Sequence, residues 1–173
     1  MKLKIPLYDL IPPFTKVAGY HANIQWRYFY EHWLPDNIAE GLQIDPDFQR
    51  VHCWTEEKQI RYVEYILRGG MTGRNIYFNH PGWMKSFKGE FVLVDGKQRV
   101  EAVRRFIENE ISVFGWKYEN FKEKHKIMPL ICDFDVWIND LPTRKDVLQW
   151  YLDINDGGVV HTTEEIEKVR KML

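Results

Sequence analysis

Two rhythms of apolar residues alternate along this chain, one near 3.6 residues and one near two, and the predicted elements follow from where each begins and ends. Leu3 to Leu10 predicts a short strand stopped by Pro12-Pro13, because proline lacks the N–H that pairing needs. Within Ile24 to Trp33, the residues Trp26, Phe29, Tyr30 and Trp33 recur at helical spacing, and Pro35 interrupts that helix before a further short turn up to Gly41. Leu42 to Phe48 is too short and proline-broken for a helix and predicts an extended segment. Thr55 then offers an N-cap, Glu56 and Glu57 suit the positive end of a helix dipole, and Ile60, Val63 and Leu67 form its apolar stripe up to Gly69-Gly70.

The second half carries shorter signals. Asn75 to Asn79 and Phe91 to Val94 predict strands, being aromatic or β-branched and bounded by glycine and proline. Val100, Val103, Phe106 and Ile107 mark a helix that starts directly after the second of these. Ile111 to Phe114 and Met128 to Phe134 predict further strands. Thr143 caps a helix running through Ile154, and Thr162-x-x-Glu165 is a capping box for a last helix with Ile166, Val169 and Leu173 on one side. Strands and helices mix without regular βαβ alternation, so the fold class is α+β, a small mixed sheet with surrounding helices.

Composition narrows the function classes. The 173 residues suit one domain, 1–173, and no linker-like or repetitive stretch divides them. With 24 basic and 25 acidic residues the formal net charge is −1, so a surface that coats duplex DNA is not expected. Two cysteines without CxxC spacing argue against a disulfide framework or zinc site and fit a reducing compartment. No apolar run nears the roughly 20 residues of a membrane span, and the first residues lack a signal-peptide core, so the expected location is the cytoplasm.

Chemistry concentrates in two places. Phe91-Val92-Leu93-Val94-Asp95-Gly96-Lys97-Gln98-Arg99 runs a hydrophobic strand through a glycine turn straight into a helix. Such a turn leaves unpaired N–H groups at the positive end of the helix dipole. Gly96 would let a ligand approach the backbone, Arg99 brings a planar fork of donors, and Asp95 could hold a metal ion or orient a water. The bland reading is a tight turn whose charges sit in solvent. The second place is Ile44-Asp45-Pro46-Asp47-Phe48-Gln49-Arg50, followed by Trp54 and the helix from Glu56. Here the bland reading is an arginine paired with a carboxylate beside a core tryptophan. Trp26, Trp33, Trp116, Trp137 and Trp150 are spaced for core packing. The six histidines are scattered without metal-ligand spacing.

Taken together, these segments resemble the N-terminal domain of GmrSD-type modification-dependent restriction enzymes, with an "iPxxQRxxxW" segment, a helix, and a strand ending in DGQQR. Asn155-x-Gly157-Gly158 followed by Thr162 to Glu165 resembles the later "N-x-G-G…L-T-x-x-E" segment of that family. Order and spacing agree over roughly residues 40 to 170. The resemblance implies a ParB/sulfiredoxin-like fold, in which a G-x-x-R turn, here Gly96-Lys97-Gln98-Arg99, holds nucleotide phosphates. It implies nucleoside triphosphate binding and hydrolysis, with magnesium, that controls a nuclease-bearing partner chain. On that reading Gln49, Arg50, Gly96, Lys97 and Arg99 bind phosphates. Asp95 and Gln98 act in catalysis, Asp95 also holding magnesium, and Trp54 and Asn155 border the site.

Two departures qualify what is carried over. Lys97 stands where DGQQR has its first glutamine, adding a positive charge beside the phosphates. The reactive cysteine of sulfiredoxins would fall at this same Lys97, so sulfinic-acid reduction is not supported. No HNH-like histidine cluster accompanies the domain. Two alternatives therefore stay open: a non-catalytic regulator or decoy that binds nucleic acid or a restriction complex, and a ParB-like DNA nuclease.

Overall fold

The computed structural model describes residues 11, 15, 19–49, 53–83, 85–124, 132–156 and 163–172. In chain order they form β1 (Gly19–Gln25), a helical run α1, α2 (Glu56–Leu67), β2 (Asn75–Asn79), β3 (Val92–Asp95) and α3 (Lys97–Ile107). There follow α4 (Tyr118–Lys124), β4 (Asp133–Asn139), α5 (Arg144–Asp156) and α6 (Thr163–Arg170). The run α1 consists of Trp26–Tyr28, a π-helical turn Phe29–Trp33, and Leu34–Ala39. The strands make one sheet in the order β1-β4-β2-β3. β4 is antiparallel to β1 and parallel to β2, and β2 is antiparallel to β3. The class is α+β with a mixed four-stranded sheet, as the sequence predicts.

Two apolar layers hold the sheet. On one face Phe134, Val136 and Ile138 of β4 and Ile76 and Phe78 of β2 meet Phe29, Val63, Ile66, Val103 and Phe106 from the helices. On the other, Val92 and Val94 of β3 pack with Phe48 and with Val147, Leu148, Trp150 and Tyr151 of α5. β3 is thus covered on both sides, which is why Phe91 to Val94 reads as an unbroken apolar run rather than an alternation.

Several elements fall where the pattern puts them, each for a local reason. The Thr55 hydroxyl accepts the Lys58 N–H at 3.3 Å and opens α2. Its far end closes through Gly69 at φ 88°, with the Gly69 N–H on Ile66 and the Gly70 N–H on Tyr65. The Thr143 hydroxyl accepts the Asp146 N–H at 3.2 Å and opens α5.

Other expectations need correction. Residues 19–25 form a strand, and the helix expected from Ile24 begins only at Trp26. Pro35 does not interrupt the run: the π-helical turn before it has already shifted the ladder, with the Leu34 N–H on the Phe29 carbonyl. Of the strand expected over Met128 to Phe134, residues 128–131 lie outside the described residues; the described strand runs from Asp133 to Asn139, where Phe134, Val136 and Ile138 point to the core and alternate with Asp133, Asp135 and Trp137. Ile111 to Phe114 is no strand; Val113 bridges Trp116 across a tight turn at Phe114 and Gly115. Ile111 and Val113 are apolar because they are buried, not because they pair along a ladder. In the extended segment from Leu42, only Gln43 pairs, in a bridge to Val92. The expected strand at Leu3 to Leu10 and the Thr162 cap lie outside the described residues.

No helix among the described residues is long and apolar enough to cross a membrane. Of the free cysteines, Cys53 is exposed and Cys132 is buried, its thiol pushed up to about 11 by burial. A thiol reagent at neutral pH should therefore modify Cys53 rapidly and Cys132 slowly, the second rate rising only as pH approaches 11 or as the chain unfolds. Two equal fast phases in a timed labelling assay would contradict this burial.

Candidate functional site

The β3–α3 junction is built around Gly96. Its φ of 112° lies in the left-handed region, and a Cβ there would sit 2.7 Å from Ile76 Cδ1 and 3.3 Å from the Ile76 backbone. Glycine is thus required both by the turn and by close packing on β2. The Gly96 carbonyl accepts the N–H groups of Arg99 and Val100 at 2.9 and 3.0 Å, so α3 starts without delay. With the Arg99 N–H so occupied, the Lys97 and Gln98 N–H groups of the first turn are the ones with no carbonyl of their own helix to meet.

Two ion pairs surround this turn. The Arg99 guanidinium is forked, one nitrogen 3.0 Å from Asp95 Oδ2 and the other bonded to the Asn75 carbonyl on β2. Both partners of that ion pair are 23% exposed, so it is shielded but reachable. Lys97 is paired with Asp45, whose side chain is 70% exposed. Asp45 belongs to the 44–50 segment, so the Lys97 pair already joins that first motif in chain order to the second, at 91–99.

The glutamines bind these motifs together more firmly. Gln49 is buried, and its Nε2 donates to the Leu93 carbonyl at 2.6 Å, inside β3. The Gln98 Oε1 accepts the N–H groups of Cys53 and Trp54, both at 3.1 Å. Gln98 is likewise buried, and its Nε2 has no hydrogen-bond partner. Residues 49 and 53 are therefore each fastened to the β3–α3 unit from either side of Arg50. Arg50 itself, and its expected approach to Arg99, lie outside the described residues.

The helices α5 and α6 on either side of the 157–162 stretch, which itself lies outside the described residues, also reach the 44–49 segment. Phe48 packs edge-to-face on Tyr151 of α5 with centroids 5.4 Å apart, and Arg144 pairs with Asp47. Lys168 of α6 donates to the Asp47 carbonyl at 3.2 Å. Asn155 ends α5 with its amide on the Tyr151 carbonyl at 2.7 Å. Trp54 stacks edgewise on Tyr62 at 5.4 Å with Lys58 over its ring, and it packs on the main core.

Sequence reasoning missed the residues that share the sheet surface with Asp95. Tyr77 stands opposite Asp95 on β3 and opposite Trp137 on β4, which in turn faces His21 on β1. His21 and Trp137 stack at 3.9 Å. Half-burial raises the Tyr77 phenol, Asp95 adds to the rise and Arg99 opposes it. The signal was present in the alternation of Asn75, Tyr77 and Asn79 against Ile76 and Phe78, which sends the first set away from the main core. Among the described residues no three His, Cys, Asp or Glu side chains cluster as a metal site. Asp95 could contribute one oxygen to a magnesium ion whose other ligands are phosphate oxygens and water, the usual manner for that ion.

In comparisons with known protein families, curated proteins and solved structures, the chain matches none.

Proposed function

We propose that the chain binds a nucleoside triphosphate at the 95–99 turn, as a ParB/sulfiredoxin-like domain of the GmrSD type, and relays the bound state to a partner. The observation that carries this reading is the meeting of separate sequence segments on one strand–turn–helix. Asp45 and Gln49 reach it from the first segment, and Phe48 links that segment to α5. Phosphates would take up the free N–H groups of the first helical turn. Lys97 would exchange Asp45, whose side chain is 70% exposed and can return to water, for phosphate. Arg99 would swing one arm of its fork from Asp95 to the ligand, and Asp95 would then be free to hold magnesium, which neutralises phosphate charge. The test is calorimetric titration with each of the four triphosphates, with and without magnesium. Saturable binding that weakens when Lys97 is changed to Glu supports the reading, and absence of binding for all four ends it.

Binding without turnover is the form of this function that the turn favours. Gln98, expected to take part in hydrolysis, is buried and its oxygen is occupied by two backbone N–H groups. It braces the first motif against α3. Gln98→Ala should therefore cost about 1–3 kcal/mol of stability, because those donors lose their acceptor. A chemical denaturation curve that coincides with the wild type would show that the brace contributes nothing.

A further inference from the structure

A second cleft lies well away from the 95–99 turn in sequence, at the C-terminal end of α2. It has a volume of about 620 Å³ and is lined by Arg61, Glu64, Tyr65, Arg68, Gly69 and Gly70. The four side chains follow the i, i+3, i+4, i+7 spacing of one helix face, the outer face of α2. Tyr65, in the last turn of this helix, is 45% exposed.

Its ring is held rather than free. A Cβ on Gly70 would fall 2.3–2.5 Å from the ring carbons, so the ring lies flat on the Gly70 backbone. The phenol oxygen meets the Thr72 hydroxyl at 2.8 Å and accepts the Thr72 N–H at 3.4 Å. One face is thus seated on backbone and the other is left to solvent. Arg61 sits one turn before this platform and Arg68 one turn after it. Arg61 holds only a loose pair with Glu57 at 3.3 Å, with both side chains more than two-thirds exposed. The Glu64 carboxylate is turned aside to the Phe114 N–H at 3.0 Å, which brings the 113–116 turn to the rim. That turn exposes Phe114, held at φ 51°. The carbonyls that would repel an anion at a helix end are taken up by the Gly69 and Gly70 N–H groups.

We propose that this cleft binds single-stranded nucleic acid, with a base stacked on the free face of Tyr65 and the flanking phosphates on Arg61 and Arg68. An aromatic plane seated on backbone between two exposed cations is the chemistry of a sequence-tolerant strand site, and a duplex offers no free base face to it. The local cations also answer the neutral overall charge: the site needs a strand of a few nucleotides, not a basic surface.

The experiment is fluorescence anisotropy at low salt with a labelled oligothymidylate and the matching oligouridylate, a labelled duplex serving as comparison. Wild-type protein should bind both single strands in preference to the duplex, and Tyr65→Ala should weaken that binding about tenfold or more. Tyr65→Phe should retain it. Arg61→Glu with Arg68→Glu, both on the surface, should weaken binding and flatten its salt dependence, a readout that survives even if Tyr65→Ala folds poorly. Lys97→Glu, which tests the nucleotide site, should leave strand binding unchanged, so failure of one site is distinguishable from failure of the other. No saturable strand binding by the wild type, equal preference for the duplex, or a paired arginine variant that binds as well as wild type would overturn the proposal.

Discussion

Replacing Gly96 by alanine should destabilise the fold by about 2–4 kcal/mol, the sum of a left-handed backbone penalty and a core overlap. Both contributions are visible at the residue. Its φ is 112°, and the added methyl would meet Ile76 not only at the end of its side chain but at its Cα, 3.3 Å away, where nothing can rotate aside. Gly41 supplies the control. It has a comparable φ of 97° with no atom within 4 Å of its Cβ position, so Gly41→Ala should lose only the backbone part, about 1–2 kcal/mol. Denaturant midpoints for the two variants separate dihedral strain from packing. If Gly96→Ala lost no more than Gly41→Ala, the close approach of the turn to β2 would be wrong. The reason for glycine at 96 is then the sheet beneath it, whereas the sequence alone suggested room for a ligand above it.

That difference illustrates what could be read in advance. Helix starts at Thr55 and Thr143 and the closure at Gly69-Gly70 rest on interactions within a few residues, and the strand Asn75–Asn79 shows its alternation locally although its partners are distant, so local pattern located them all. β1 was missed because GYHANIQ is an edge strand with mostly exposed residues, defined by its pairing with β4 more than a hundred residues later. Ile111 and Val113 look like a strand for the opposite reason, since burial demands apolar side chains without asking for a ladder. The 95–99 turn was legible as a strand entering a helix. The work of Gln49 and Gln98 was not: each bonds a backbone group 44 or 45 positions away, and no local rhythm encodes that. The family resemblance gives Gln49 to the phosphates and Gln98 to catalysis, whereas their buried bonds fasten the 49–54 segment to β3 and α3.

Arg99→Ala should lower nucleotide affinity at least tenfold and also cost about 1–3 kcal/mol of stability, because a charged donor serves the fold as well as the ligand. Its two bonds, to Asp95 and to the Asn75 carbonyl, clamp the turn to β2. Loss of binding in this variant alone would therefore not distinguish a phosphate contact from a loosened turn. Asp95→Asn makes the distinction by sign. On the proposed reading, Asp95 would compete with phosphate for the Arg99 fork when magnesium is absent, so neutralising it should tighten triphosphate binding. With magnesium present, the same change would remove the carboxylate proposed to hold the ion, and binding should weaken. A purely structural role for the pair predicts a change in the same direction under both conditions. Calorimetry of Asp95→Asn with and without magnesium, beside a melting curve confirming the fold, reads out both. Affinities that fall together or stay constant would remove Asp95 and Arg99 from the nucleotide site and leave them as a clamp on the turn.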